Sequence, residues 1–179
     1  MENLISMKKY LFDSNSFMMP ARNYYNFNIL PTYWDRLLKY ANKNNNLYVL
    51  SVVEDEINAG RDDDALKLWF AHNESNFKKI QHSTSEVIAK YTEVMQYIQH
   101  CGFYNNKGLL KWSDIKIADP WLIAAAKVYD LSIVTFEVRD GGLSLKNQTG
   151  SIKIPDVADH FGVESLNLYA MMEEIGIKI

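Results

Sequence analysis

Asp13, Glu56, Asp119 and Glu137 are the side chains of this 179-residue chain whose type and placement could do chemistry. Asp13 closes the short apolar run Lys8–Phe12, and Glu137 stands just past a second run, Leu131–Thr135. Asp119 opens a helix, with Pro120 at a position where a missing N–H costs nothing. Glu56 lies in the helix that follows the run Leu47–Leu50. Ligands of open α/β sheets collect outside the carboxyl ends of the strands. The acids are therefore expected on one rim, the arrangement of an acidic metal site.

The elements that must position them are legible from periodicity. Trp121–Tyr129 is apolar or alanine at almost every place, so its helix is expected to be covered on most sides. A helix from Thr32 carries Trp34, Leu37, Leu38 and Ala41 inward and ends in the asparagine-rich stretch 42–46. Ser51-Val-Val-Glu54 matches a capping box, which assigns Glu54 a structural role and leaves Glu56 as the free acid. Asp62–Asp64 precede a periodic run and read as a helix start rather than a metal loop. With a longer helix from Ser83 or Thr84 to about Cys101, they make residues 62–101 a helical arm.

Residues 18–31 show no clear period and read as a surface loop or lid; 102–114 read as a polar loop and 139–150 as a flexible connection. Pro155–Phe161 is a short helix closed by Gly162, Val163–Leu168 a last strand, and Tyr169–Ile175 a terminal helix. Strand followed by helix, repeated about four times, implies an α/β fold with a parallel sheet in a single domain over 1–179.

Composition narrows the class. With 47% hydrophobic and 23% charged residues the chain is expected to be soluble and globular, and no run approaches a membrane span. The N-terminus has no apolar signal core, and either Met1 or Met7 serves as a start. The single cysteine, Cys101, fits a reducing cytoplasm and excludes a zinc ribbon or finger. A net charge of −3 argues against a broad polyphosphate-coating surface. Asp156, Asp159 and His160, one helical turn apart, are explained as well by a solvated face.

Taken in order, the four acids resemble the motif set of the PIN-domain nucleases. Tyr-Leu-Phe-Asp13-Ser-Asn15 is similar to that family's first motif, Val-Val-Glu-Asp-Glu56-Ile to its second, Ala-Asp119-Pro-Trp-Leu-Ile-Ala to its third, and Val-Thr135-Phe-Glu137 to its fourth. Pro31-Thr-Tyr-Trp34 and the stretch Ile152–Val157 resemble a bacterial, toxin-type PIN-like subfamily. Two features depart from the pattern: a glutamate at 137 where many relatives have aspartate, and the length of the arm.

The resemblance implies a PIN-like fold, a central parallel sheet flanked by helices with a helical arm, and a Mg2+- or Mn2+-dependent ribonuclease. Asp13, Glu56, Asp119 and Glu137 are then its catalytic and metal residues, shaped by Asn15 and Thr135. Arg22, Lys116 and Lys153 are expected to meet substrate, with Tyr24, Tyr25 and Phe27 placed to stack on bases. The implied partners are an RNA substrate and an antitoxin protein, with room for a homodimer and no membrane. A non-catalytic RNA- or protein-binding module, or a nuclease acting on DNA, is the alternative.

The physics agrees with a cation. Two carboxylates about 4 Å apart repel by roughly 4 kcal/mol at an effective dielectric near 20. Several such pairs rival a domain's entire stability of about 5–15 kcal/mol. Oxygen-only donors suit magnesium or manganese.

Overall fold

Five short strands, the central three mostly apolar, pair into one sheet in a computed structural model that describes residues 7–179. Met1, one of the two candidate starts, and the rest of 1–6 lie outside the described residues. The strands are β1 (Tyr10–Phe12), β2 (Leu47–Leu50), β3 (Lys78–Ile80), β4 (Ser132–Val134) and β5 (Ser165–Leu166). They lie in the order β3-β2-β1-β4-β5, all parallel. Phe12 is in register with both Val49 and Val134. The buried residues of the three central strands are apolar nearly throughout, as a sheet covered on both faces requires.

Helices alternate with the strands: α1 (Asn15–Met19), α2 (Pro31–Asn44), α3 (Ser51–Asn58), α4 (Ala65–Asn73), α5 (Ser85–His100), α6 (Asn106–Trp112), α7 (Ala118–Tyr129), α8 (Ile154–His160) and α9 (Leu168–Ile175). α7 is buried along Pro120–Ala126, as its composition requires, and its closest partner is α5. Alanines at 124–126 let the two helix backbones approach.

Four expectations need correction. The loop expected over 18–31 is helical as far as Tyr24: α1 runs into a π-helical turn, Pro20–Tyr24, pinned by Phe17, which is fully buried against Phe12, Phe70 and Phe77. Only 25–30 lack helical structure before α2. The supposed polar loop at 102–114 contains α6, capped by Asn105, whose side chain accepts from the N–H groups of Lys107 and Gly108. Trp112 anchors it in the core, and Gly108 lets it touch the chain opposite, because a Cβ there would meet Gly150 O and Ile152 Cγ1 at 3.1 Å.

The capping box at 51–54 does not form. Ser51 Oγ instead accepts from His82 N at 3.1 Å and lies 2.7 Å from His82 Nδ1, while Glu54 pairs with Lys79 at 2.9 Å. Asp119 is not an N-cap either: Ile117 holds that place and Asp119 stands inside the first turn of α7.

The segment 62–101 has both expected helices, α4 capped by Asp64 and α5 by Thr84. It also carries β3, an edge strand with lysines at two of its three positions. That strand joins the arm to the sheet, and its lysines discourage further pairing.

Candidate active site

The strand order makes the site. From β1 the chain steps outward to β2 and β3, then returns to the other side of β1 with β4 and β5. Between β1 and β4 the winding reverses, and a crevice opens at the carboxyl ends of exactly such a pair. Asp13 is the first residue past β1, and Thr135 the first past β4. Asp13 N donates to Val134 O at 3.0 Å, and Ser16 Oγ reaches the same carbonyl at 2.8 Å, so the two strand ends are stitched together.

Asp13 is buried, and Thr135 Oγ1 donates to its Oδ2 at 2.8 Å. The Asn15 amide is a longer 3.5 Å from the same oxygen. Burial pushes the Asp13 carboxyl up to about 6; the Thr135 bond opposes this, and the Glu137 and Glu56 charges add to it. Asp119 goes further, to about 8, through burial first and then the charges of Asp13, Glu137 and Glu56, with the positive charge of Lys111 opposing them. The four acids thus share one electrostatic neighbourhood, and among the described residues neither Asp13 nor Asp119 accepts a hydrogen bond from a lysine or arginine.

Glu56 and Glu137 are held by backbone amides at helix starts. Glu56 Oε1 accepts from Ala118 N at 3.1 Å, capping α7 from a different helix. This replaces the cap expected from Asp119. Glu137 Oε2 accepts from Ile154 N at 2.8 Å at the start of α8, and its Oε1 is 3.3 Å from Lys153 Nζ. Glu137 N in turn donates to Thr135 Oγ1 at 3.1 Å, so Thr135 orients two of the acids.

The remaining expected residues divide. Lys153 sits beside the site as the partner of Glu137, already engaged by that charge. Arg22 lies 3.7 Å from Asp64, a loose exposed pair, and Lys116 is exposed with its N–H donated to Asp114. Tyr25 and Phe27 are not free to stack on bases: Tyr25 stacks on Tyr33 and Phe27 on Trp34, each with ring centroids 4.4 Å apart. Tyr24 remains at the surface. Lys111, on α6, is a cation of the site that the sequence reading missed because its helix was read as loop. Away from the site, Asp159 forms a two-pronged pair with Arg139 at 2.6 and 2.7 Å, and His160 stacks on Tyr97. Those contacts account for the Asp156–His160 cluster.

Among the described residues no three His, Cys, Asp or Glu side chains stand as a ready-formed cage for an ion. The fit to a cation rests on donor chemistry: oxygen-only side chains, buried at Asp13 and half-buried at Glu56, Asp119 and Glu137, whose charges repel.

An α/β fold with a parallel sheet flanked by helices is the architecture that the motifs implied. By sequence the chain belongs to the family described as Domain of unknown function (DUF4411), matched over residues 10–179. No curated protein matches it. Among solved structures it is similar to the "Crystal structure of VapBC2 from Rickettsia felis bound to a DNA fragment from their promoter", with a TM-score of 0.53 and 12% identity over 88% of this chain and 97% of that one. At that identity the likeness is one of fold. No helix among the described residues is long and apolar enough to cross a membrane.

Proposed function

We propose that the chain is a metal-dependent endoribonuclease of the PIN type, acting as the toxin of a toxin–antitoxin pair. One observation carries this: Asp13 and Asp119 stand at the switch point of the sheet without a lysine or arginine hydrogen bond, both in the field of Glu56 and Glu137 and Asp119 also in that of Asp13. A purely structural role would pair or expose such charge. Asp13, Glu56 and Asp119 would hold magnesium or manganese. Glu137, with both oxygens already accepting hydrogen bonds, completes the negative field. When bound, the cation would activate water, orient the scissile phosphate and neutralise charge on the leaving oxygen.

The chain's own residues do the positioning. Thr135 fixes the rotamer of Asp13, the α7 amide fixes Glu56, and Lys111 supplies a positive charge facing Asp119. The likeness in fold to VapBC2 supports looking for a partner protein.

The test is cleavage of labelled RNA and DNA by the purified chain with magnesium, manganese or EDTA, alongside growth of bacteria overproducing it. RNA should be cut only with the cation, growth should stop, and Asp119→Ala should abolish both. If intact and Asp119→Ala chains slow growth equally and neither cuts, a binding module is the better account. Cutting confined to DNA would replace the ribonuclease with a DNA nuclease.

A further inference from the structure

Beside Glu137 the structure carries a cavity of about 440 Å3 between the ends of β4 and β5, within the size range of small-molecule pockets, about 300–1,000 Å3. Phe136 and Tyr169 line it. Tyr24, brought over by the π-helical turn, completes an aromatic triad: it stacks on Phe136 at 6.0 Å between centroids and meets Tyr169 edge-on at 6.2 Å. Phe136 and Tyr169 are themselves edge to face at 5.9 Å. Such turns recur at functional sites.

The triad is not sealed into the core. Tyr24 is 44% exposed and Tyr169 42%, although rings of this size are usually covered. The polar groups in the same wall suit an edge rather than a chain end. Ser165 Oγ, buried, has no hydrogen-bond partner. Asn167 uses its carbonyl to cap Ala170 N, which leaves its amide donors to spare. Arg139 lies in the lining with its guanidinium plane fixed by Asp159. Flat aromatic faces, a few edge-directed polar atoms and a fixed guanidinium suit a heterocycle next to a phosphate.

We propose that this cavity is a base subsite, in which an unpaired nucleobase stacks on Phe136 and Tyr169, with Tyr24 packed behind both rings, while the strand's phosphate passes the acids. The substrate class is then single-stranded nucleic acid, because a paired base cannot enter. This subsite rests on the nuclease reading for its purpose and on the aromatic cavity for its existence.

The experiment measures binding of short RNAs to the full Asp119→Asn chain with magnesium present, so that a bound strand stays whole. One strand is intact, a set carries a single abasic site moved along its length, and one is a duplex. Loss of one stacked base should weaken binding about tenfold at one position only. The further change Tyr24→Ala with Tyr169→Ala should cost the same and remove the sensitivity to that position, whereas Tyr169→Phe should keep it. The abasic scan needs no aromatic variant, so poor folding of the double change leaves it decisive.

Equal binding of duplex and single strand, no favoured position, or no binding at all would overturn the subsite. So would affinity that follows strand charge alone, or a cavity that takes a protein segment in place of RNA. Cleavage by the unsubstituted chain, scored separately, keeps the two readings apart: a position-specific base effect without cleavage sinks the nuclease and spares the subsite, and cleavage without a base effect does the reverse.

Discussion

The two ends of the same sheet treat acids in opposite ways. At the amino end, Glu164 accepts from Lys8 at 2.8 Å and from Ser132 at 2.6 Å, and Glu174 accepts from Lys8 and from Tyr10 at 2.7 Å. Burial there works against Glu164, but the Lys8 and Ser132 bonds hold its carboxyl below the usual range. At the carboxyl end, Asp13 is driven up by burial and by the charges of Glu137 and Glu56, and Asp119 by burial and by Asp13, Glu137 and Glu56. A fold able to satisfy carboxylates at one rim leaves them in conflict at the other. The conflict is thus a local property of the rim where a ligand belongs, and it has a sign that a cation would reverse.

The largest break in that comparison is in activity. Asp13→Asn and Asp119→Asn should each lower RNA cleavage by more than about a hundredfold, because each removes a donor and a charge from the cation's place. Glu164→Gln, at the satisfied rim, should leave the rate within about twofold in the same assay.

Next comes ligand-linked stability. Magnesium or manganese at about a hundred times its dissociation constant should add roughly 2.7 kcal/mol, read as a rise in thermal midpoint. Asp119→Asn should remove most of that rise, and Glu164→Gln none of it.

The pH dependence should run in opposite directions at the two rims. Asp119 is raised from 3.8 to about 8, so in EDTA its contribution is fully present below about pH 4 and is lost as pH rises through about 8. Asp13, raised to about 6, is lost over the lower part of that window. Glu164 is lowered, so its contribution is present above its ordinary 4.5 and lost as pH falls below it. Denaturant midpoints from pH 4 to 9 should decline for the intact chain in EDTA and flatten in Asp119→Asn. An unchanged slope would remove Asp119 from the conflict.

The smallest effects concern the box that did not form. Ser51→Ala should cost about 1 kcal/mol by chemical denaturation, through the lost His82 contacts, and Glu54→Gln less than about 0.5 kcal/mol, since its Lys79 pair is partly exposed.

What could be read beforehand followed from local pattern. Asp13, Glu56, Asp119 and Glu137 stand out in the sequence because short apolar runs and one alanine-rich helix bracket them, and the parallel sheet follows from the alternation of strand and helix. What escaped depends on partners distant in the chain. Phe17 makes 15–24 helical by inserting between Phe12, Phe70 and Phe77, and Trp112 and Gly108 fix α6 against 150–152. His82 and Lys79 outcompete the local cap for Ser51 and Glu54. Asn105, followed by Leu109 and Trp112 at helical spacing, was an available sign of α6. Nothing local announces that Glu56 would cap α7.

The tie of Glu137 to Ile154 closes a loop whose two feet are pinned again by Arg139 to Asp159 and by Asp140 N to Asp156 Oδ2 at 3.0 Å. The acid's position is therefore set at the feet, and within the span between them 148–152 is tied back to 102–108 while the turn at Gly141 stands clear of both. Gly141 has open space where a side chain would project. For an engineer this is a port: an epitope tag or a fluorescent reporter spliced in at Gly141 should leave the rim intact while travelling beside it. For a lineage of such chains, it is a place where insertions can accumulate without disturbing the chemistry next door.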